Sequence, residues 1–201
     1  MRLLVIETAT ASCSIALVEE GTVIASDASV VGRGHAERLM PMIAALPEGG
    51  RADAIWVDCG PGSFTGIRVG IAAARGLAFG WGVPVYGFSS LTIIAAEWFA
   101  RNDVSEVTVV IEGGHSEVFM QPFANDPLRP TAELQSVLPE AAIFQGPLAG
   151  NAAHRLSPTI SDDGGPDAIN ARLLASADLP VRPIYGRAPD AKPLARAIAA
   201  T

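Results

Sequence analysis

Charged side chains are scarce in this 201-residue chain: Asp, Glu, Lys and Arg make up 17% of it, while 49% is hydrophobic. An average soluble protein carries roughly 25% charged residues. Disorder is excluded as a description of the whole, and the length suffices to bury a core in one domain or two small lobes. Positive charge is the scarcer sign. Lys and Arg number 14 against 21 Asp and Glu, a net charge of -7, which repels a phosphate backbone and argues against a direct grip on nucleic acid. With a mean hydropathy of +0.32 and a pI near 4.9, the chain has more apolar surface than a monomer usually needs, which points to a protein partner.

Cysteine is limited to Cys13 and Cys59, both inside apolar segments that read as strands and without C-x-x-C spacing. Buried reduced thiols are expected. Long apolar runs are missing too. The run at residues 3–6 stops at Glu7, too short for the core of a signal peptide. The stretch over 66–86 is broken by Arg68, Arg75 and Pro84, short of the roughly 18 uncharged residues that a spanning helix needs. A cytoplasmic location without a membrane segment follows as the expectation. His35, His115 and His154 show no metal-ligand spacing, and no G-x-S-x-G elbow surrounds Ser12, Ser14 or Ser63, so no catalytic residue, metal or cofactor is assigned.

What the chain does have is a regular alternation of apolar segments. Residues 3–6, 14–18 and 23–26 read as three opening strands, with Glu19-Glu20-Gly21 as the turn between the last two. Residues 35–46 carry Leu39, Met42, Ile43 and Leu46 at helical spacing, 55–58 is a buried-strand pattern, and a glycine-rich turn over 60–66 opens a second helix that runs to about 79. A strand at 83–86 and a third helix at 91–100 follow. The order β-β-β-α-β-α-β-α predicts an α/β, ribonuclease-H-like unit of the two-lobed actin-like (ASKHA) fold, an antiparallel hairpin extended by parallel strands with crossover helices. Polar residues over 101–106 set the boundary between a first lobe at 1–103 and a smaller, loop-rich second lobe at 104–201. The second lobe is expected to hold strands at 107–111, 118–123 and 142–144 and helices near 132–138 and 167–177, its last helix packing back on the first lobe.

The turn Gly60-Pro61-Gly62-Ser63-Phe64-Thr65-Gly66-Ile67-Arg68 lies between a strand and a helix, where free backbone N–H groups could hold an anion. It has no Lys for a Walker A loop, and its third glycine comes one residue late for a Rossmann loop. A tight turn that brings helix and strand together is the plainer alternative. Glu7, Thr8 and Thr10 follow the first strand, where an actin-like fold turns a carboxylate and hydroxyls towards a nucleotide; with Gly62, Ser63 and Thr65 they are the candidate nucleotide-binding residues. Their alternative is an ordinary strand-end turn. Gly66, Gly70 and Ala74 form a small-residue stripe at spacing four. With Leu39 and Met42 it could contact another chain, or it packs on its own sheet. Arg68 and Arg75, seven residues apart, favour an exposed face with a polar rim.

Glu7-Thr8-Ala9-Thr10, His35-Ala36-Glu37-Arg38-Leu39-Met40-Pro41, the glycine-rich turn and Gly87-Phe88-Ser89-Ser90-Leu91 occur in this order. Together they resemble the TsaB family, also called YeaZ, over about residues 1–100, and 183–189 looks like that family's closing segment. The resemblance implies a non-catalytic scaffold subunit in bacterial synthesis of threonylcarbamoyladenosine on tRNA, beside the anticodon. It further implies a heterodimer with a TsaD homologue through the first two helices, a homodimer when alone, the ATPase subunit TsaE joining through the complex, and tRNA held indirectly. The implied contact residues are His35, Leu39, Met42, Gly66, Gly70, Ala73, Ala74 and Leu77, with Gly70→Arg expected to abolish pairing without unfolding. In the sister TsaD, an Asn-His-x-x-x-His stretch binds a metal. Ser90 and Ile94 stand where those histidines would be, and neither replaces imidazole as a ligand. This chain departs from the TsaB pattern at Glu7, where Asp is usual, over Glu112-Gly113-Gly114-His115, and in its short second lobe. The alternatives are a free-standing actin-like nucleotide hydrolase or peptidase-like enzyme, and a binding module for another bacterial protein.

Overall fold

The computed structural model describes residues 1–159 and 164–186. Strands β1 (Arg2–Glu7), β2 (Ser12–Glu19), β3 (Thr22–Val30), β4 (Ala54–Asp58) and β5 (Val85–Phe88) form one sheet in the order β3-β2-β1-β4-β5. The β1–β2 and β2–β3 pairs are antiparallel, while β1–β4 and β4–β5 are parallel. Helices α1 (His35–Ala45) and α2 (Phe64–Trp81) supply the crossovers, and α3 (Ser90–Arg101) leads from β5 out of this sheet. This is the α/β ribonuclease-H-like order read from the sequence. Central β1 is apolar without alternation because both of its faces are covered. Leu4 and Ile6 meet α1 and α2, and Leu3 and Val5 meet the opposite layer. Gly82 ends α2 in a left-handed conformation, its N–H returning to the Ala78 carbonyl.

The second sheet runs β10-β6-β7-β8, from β6 (Glu106–Glu112), β7 (Val118–Ala124), β8 (Arg129–Pro130) and β10 (Leu148–Ala149), with β9 (Gln135–Val137) also on β7. Helix α3 lies between the two sheets. Ile93 packs against the first, and Leu91, Ile94 and Ala95 pack against Val107, Val109 and Phe119 of the second, so its apolar residues occupy more than one stripe.

Three expectations for this half are corrected. The helix near 132–138 is strand β9, because Val137 pairs with Val118 and joins its cluster. The strand at 142–144 does not form. Ile143 there is 87% exposed, and Leu148 and Ala149 take the place beside β6. The helix near 167–177 is a 3₁₀ segment, Ala168–Leu173, capped by Asp167. Ala168 and Ala171, three residues apart, press on the first sheet with Leu3, Val5 and Ala16, a spacing that suits the 3₁₀ period. Beyond it the chain meets the first sheet again: Leu179 and Gly87 exchange backbone hydrogen bonds, and Ile184 N–H donates to the Cys59 carbonyl at 2.8 Å. The family-like closing segment is described as far as Gly186, and residues 187–189 lie outside the described residues. Among the described residues no helix is long and apolar enough to cross a membrane.

Candidate functional site

Two buried carboxylates stand where β1 and β4 end. Glu7 and Asp58 are fully buried. Glu7 accepts from the Ala9 N–H at 2.6 Å and from the Ser90 hydroxyl at 3.0 Å, and Asp58 accepts from the N–H groups of Gly60 at 3.2 Å and Ser90 at 2.7 Å. Burial, followed by the charge of Asp58, holds the Glu7 carboxyl well above the usual range. Burial pushes Asp58 up to about 7 against the pull of its N–H donors. The thiols of Cys13 and Cys59 are free and, as expected, buried, and burial raises them to about 11 and about 12, which disfavours the reactive thiolate.

The six candidate nucleotide-binding residues do not form an open phosphate cradle. Thr8 is buried and donates to the Gly66 carbonyl at 2.9 Å. The Thr10 hydroxyl accepts from Ser12 N–H at 3.2 Å. Ser63 donates its N–H to the Ala9 carbonyl at 2.6 Å and caps α2 by accepting from Gly66 N–H at 3.1 Å. At Gly62 a Cβ would collide with the Ala9 carbonyl, so the turn serves close packing. Thr10, Gly62 and Ser63 reach a cleft, whereas Glu7 and Thr8 sit behind it and Thr65 is exposed on α2.

That cleft, of about 830 Å³, lies between the 60–66 turn, the β6–β7 hairpin and the closing segment. At its edge the Arg68 guanidinium stacks 3.5 Å over the Phe64 ring and donates to the Tyr185 hydroxyl at 3.1 and 2.6 Å. Arg68 thus ties α2 to the closing segment, a role that the sequence reading of a polar rim did not contain. Glu112, on the opposite wall, is paired with Arg155 at 2.7 Å. Among the described residues no three or more His, Cys, Asp and Glu side chains converge as metal ligands would.

Helices α1 and α2 lie side by side on the first sheet. Of the eight residues named as contacts, His35, Leu39, Met42, Gly66, Gly70 and Ala74 are buried against this chain's own sheet, and Ala73 and Leu77 are half-buried. His35 Nε2 lies 2.9 Å from the Thr10 carbonyl oxygen and 3.2 Å from that of Ser12, fitting an N–H donor. A Cβ at Gly66 would strike the Thr8 carbonyl and one at Gly70 the Thr8 hydroxyl. The stripe at 66, 70 and 74 is therefore core, and the expectation that Gly70→Arg leaves the fold intact is overturned. The outward face carries a second stripe of the same spacing, Ala72, Gly76 and Gly80, with Phe79 93% exposed beside it. Both glycines open onto free space. On α1, Met40, Pro41 and Ala44 are exposed on the corresponding side. The sequence holds both stripes, and the signal that separates them is the position of the buried apolar residues Ile67 and Ile71.

A family model described as tRNA N6-adenosine threonylcarbamoyltransferase, TsaD, matches residues 21–141. The tRNA threonylcarbamoyladenosine biosynthesis protein TsaB of Escherichia coli is 37% identical over 131 residues, covering 63% of this chain and 56% of that protein. YeaZ from Pseudomonas aeruginosa, a solved structure, superposes with a TM-score of 0.76 at 28% identity, covering 92% of this chain and 99% of that one. The chain belongs to the TsaB/YeaZ family. Its match spans about half the length of the Escherichia coli TsaB. The uncharacterized protein Rv3421c of Mycobacterium tuberculosis is similar almost end to end, 32% identical over 96% of this chain and 94% of that protein. The stretch Glu112-Gly113-Gly114-His115, where the sequence was expected to depart from the TsaB/YeaZ pattern, forms one wall of the cleft.

Proposed function

We propose that this chain is the non-catalytic scaffold subunit of a cytoplasmic tRNA threonylcarbamoyladenosine transferase complex, binding and organising a TsaD homologue. Membership of the TsaB/YeaZ family supports a role in tRNA threonylcarbamoyladenosine biosynthesis. The lobe formed by residues 1–103 pairs through the outer face of α1 and α2, with a second copy when the partner is missing. TsaE and tRNA join through the complex, in keeping with a net charge of -7.

The observation that carries this reading is the outward face of α2. Ala72, Gly76 and Gly80 let a second helix approach closely, and the 93% exposed Phe79 is an anchor in want of a pocket. A scaffold role also fits the engagement of Thr8, Ser63, Glu7 and Asp58 by this chain's own groups. Size-exclusion chromatography with light scattering on the chain, its cognate TsaD and their mixture tests the proposal. A one-to-one complex that Gly76→Arg weakens is expected. Separate elution at micromolar concentration, or ATP turnover by the chain alone, would overturn it.

A further inference from the structure

We infer that Glu7 and Asp58 share a single proton at neutral pH and that this proton holds together the three turns at the base of α2 and α3. Both carboxyls are fully buried, at the ends of adjacent parallel strands, and Ser90 touches both, by its hydroxyl to Glu7 at 3.0 Å and by its N–H to Asp58 at 2.7 Å. Asp58 Oδ2 is buried without a hydrogen-bond partner among the described residues. Two ionised carboxylates in such a site would each lose hydration and repel one another, so one retained proton is the lower-energy state.

The described residues that face the pair supply no compensating cation. From β2 comes the neutral thiol of Cys13, from the residue after β4 that of Cys59, and from the cap of the 3₁₀ segment Asp167, whose charge raises Glu7 further. His35 of α1 is held at the Thr10 and Ser12 carbonyls. Among the described residues, no positive group is a leading influence on either carboxyl. The pair binds the turn after β1 through Ala9, the glycine-rich turn through Gly60, and the start of α3 through Ser90. Ala9 and the glycine-rich turn also wall the cleft. When the shared proton leaves for solvent, two buried negative charges face each other across these turns.

Both folded-state values lie above those of free carboxyls, about 3.9 for Asp and 4.3 for Glu. The native state then holds more protons than the unfolded state, so the stability from this pair is complete below pH ~4. It is lost as pH rises through the Asp58 value of about 7. The inference stands apart from the proposed scaffold role and is tested on the chain alone.

Denaturant unfolding is followed from pH 5 to 8.5 for the native chain, Asp58→Asn and Glu7→Gln. Relative to either variant, the native chain's unfolding constant is expected to rise by up to about tenfold per pH unit from pH 5 to about 7 and to level off above it. Parallel profiles would overturn the inference. Because a variant can fail to fold, carboxyl ¹³C NMR of the native chain provides the second measurement. A buried carboxyl carbon still titrating near pH 7 is the expected result, and complete ionisation of every carboxyl by pH 6 would overturn it.

Discussion

The inward and outward edges of α2 carry the same kind of sequence in opposite surroundings. Gly66, Gly70 and Ala74 repeat at spacing four and are buried against β1, while Ala72, Gly76 and Gly80 repeat at the same spacing and face open space. Small residues at helical spacing thus report that something approaches closely, and which neighbour does so is set by the apolar residues beside them. The inward stripe serves the fold. The outward one is free to serve association.

The largest expected effect comes from breaking the inward edge. Gly70→Arg drives a Cβ into the Thr8 hydroxyl and a cation into the core, and should lower stability by about 3 kcal/mol or more in denaturant unfolding. Gly70→Ala should lower it by about 1–3 kcal/mol through the collision alone. If Gly70→Ala unfolds at the native midpoint, the inward stripe is not close-packed and the contrast between the edges collapses.

On the outward edge the effect should move from folding to binding. Phe79→Ala removes a ring that is 93% exposed, so stability should change by no more than about 0.5 kcal/mol. Affinity for the cognate TsaD, measured by calorimetry, should fall by about 2 kcal/mol, roughly 30-fold in Kd. Unchanged affinity would move the partner surface away from this end of α2.

Gly76→Ala sharpens the same contrast by acting in two directions. With nothing within 4 Å of the added methyl, the isolated chain should gain about 0.5–1 kcal/mol from helix propensity. Pairing should weaken as the methyl holds the helices apart. A gain in both readouts would show that the partner does not approach the helix backbone at Gly76.

How much of this was legible in the sequence differs between the two sheets and their helices for a physical reason. In the first, β1, β2, α1, β4 and α2 are each marked by a local pattern, continuous or periodic apolar residues closed by turn residues. In the second, β9 and β10 are two or three residues long and exist because β7 and β6 offer them an edge. Exposed Ile143 and Phe144 look more strand-like than the Leu148–Ala149 pair that forms the strand. At the candidate site, Glu7 was visible as a strand-end carboxylate, but its engagement with Asp58 and Ser90 depends on β1 and β4 being neighbours and α3 starting above them. Residue type and spacing along the chain cannot supply that.

The smallest expected effect lies where the outward face of α2 meets the cleft. Arg68 is exposed, so replacing it with Ala should lower global stability by only about 0.5 kcal/mol, the scale of an exposed cation–π contact. Its guanidinium nevertheless joins Phe64 to Tyr185, at the end of a segment held to the first sheet and its helices by backbone bonds at Leu179 and Ile184 and, between them, by Arg75 donating to the Val181 carbonyl and by the packing of Val181. Local opening should follow that division. In hydrogen exchange on Arg68→Ala, the Ile184 amide, beside the lost contact, should exchange about twofold faster, while the Leu179 amide, paired with Gly87, keeps its native rate. Equal acceleration at both would mean that the segment opens as one unit. No change at either would mean that the segment's backbone bonds and its Arg75 and Val181 contacts suffice, leaving Arg68 free to turn from the cleft towards whatever covers the outer face of α2.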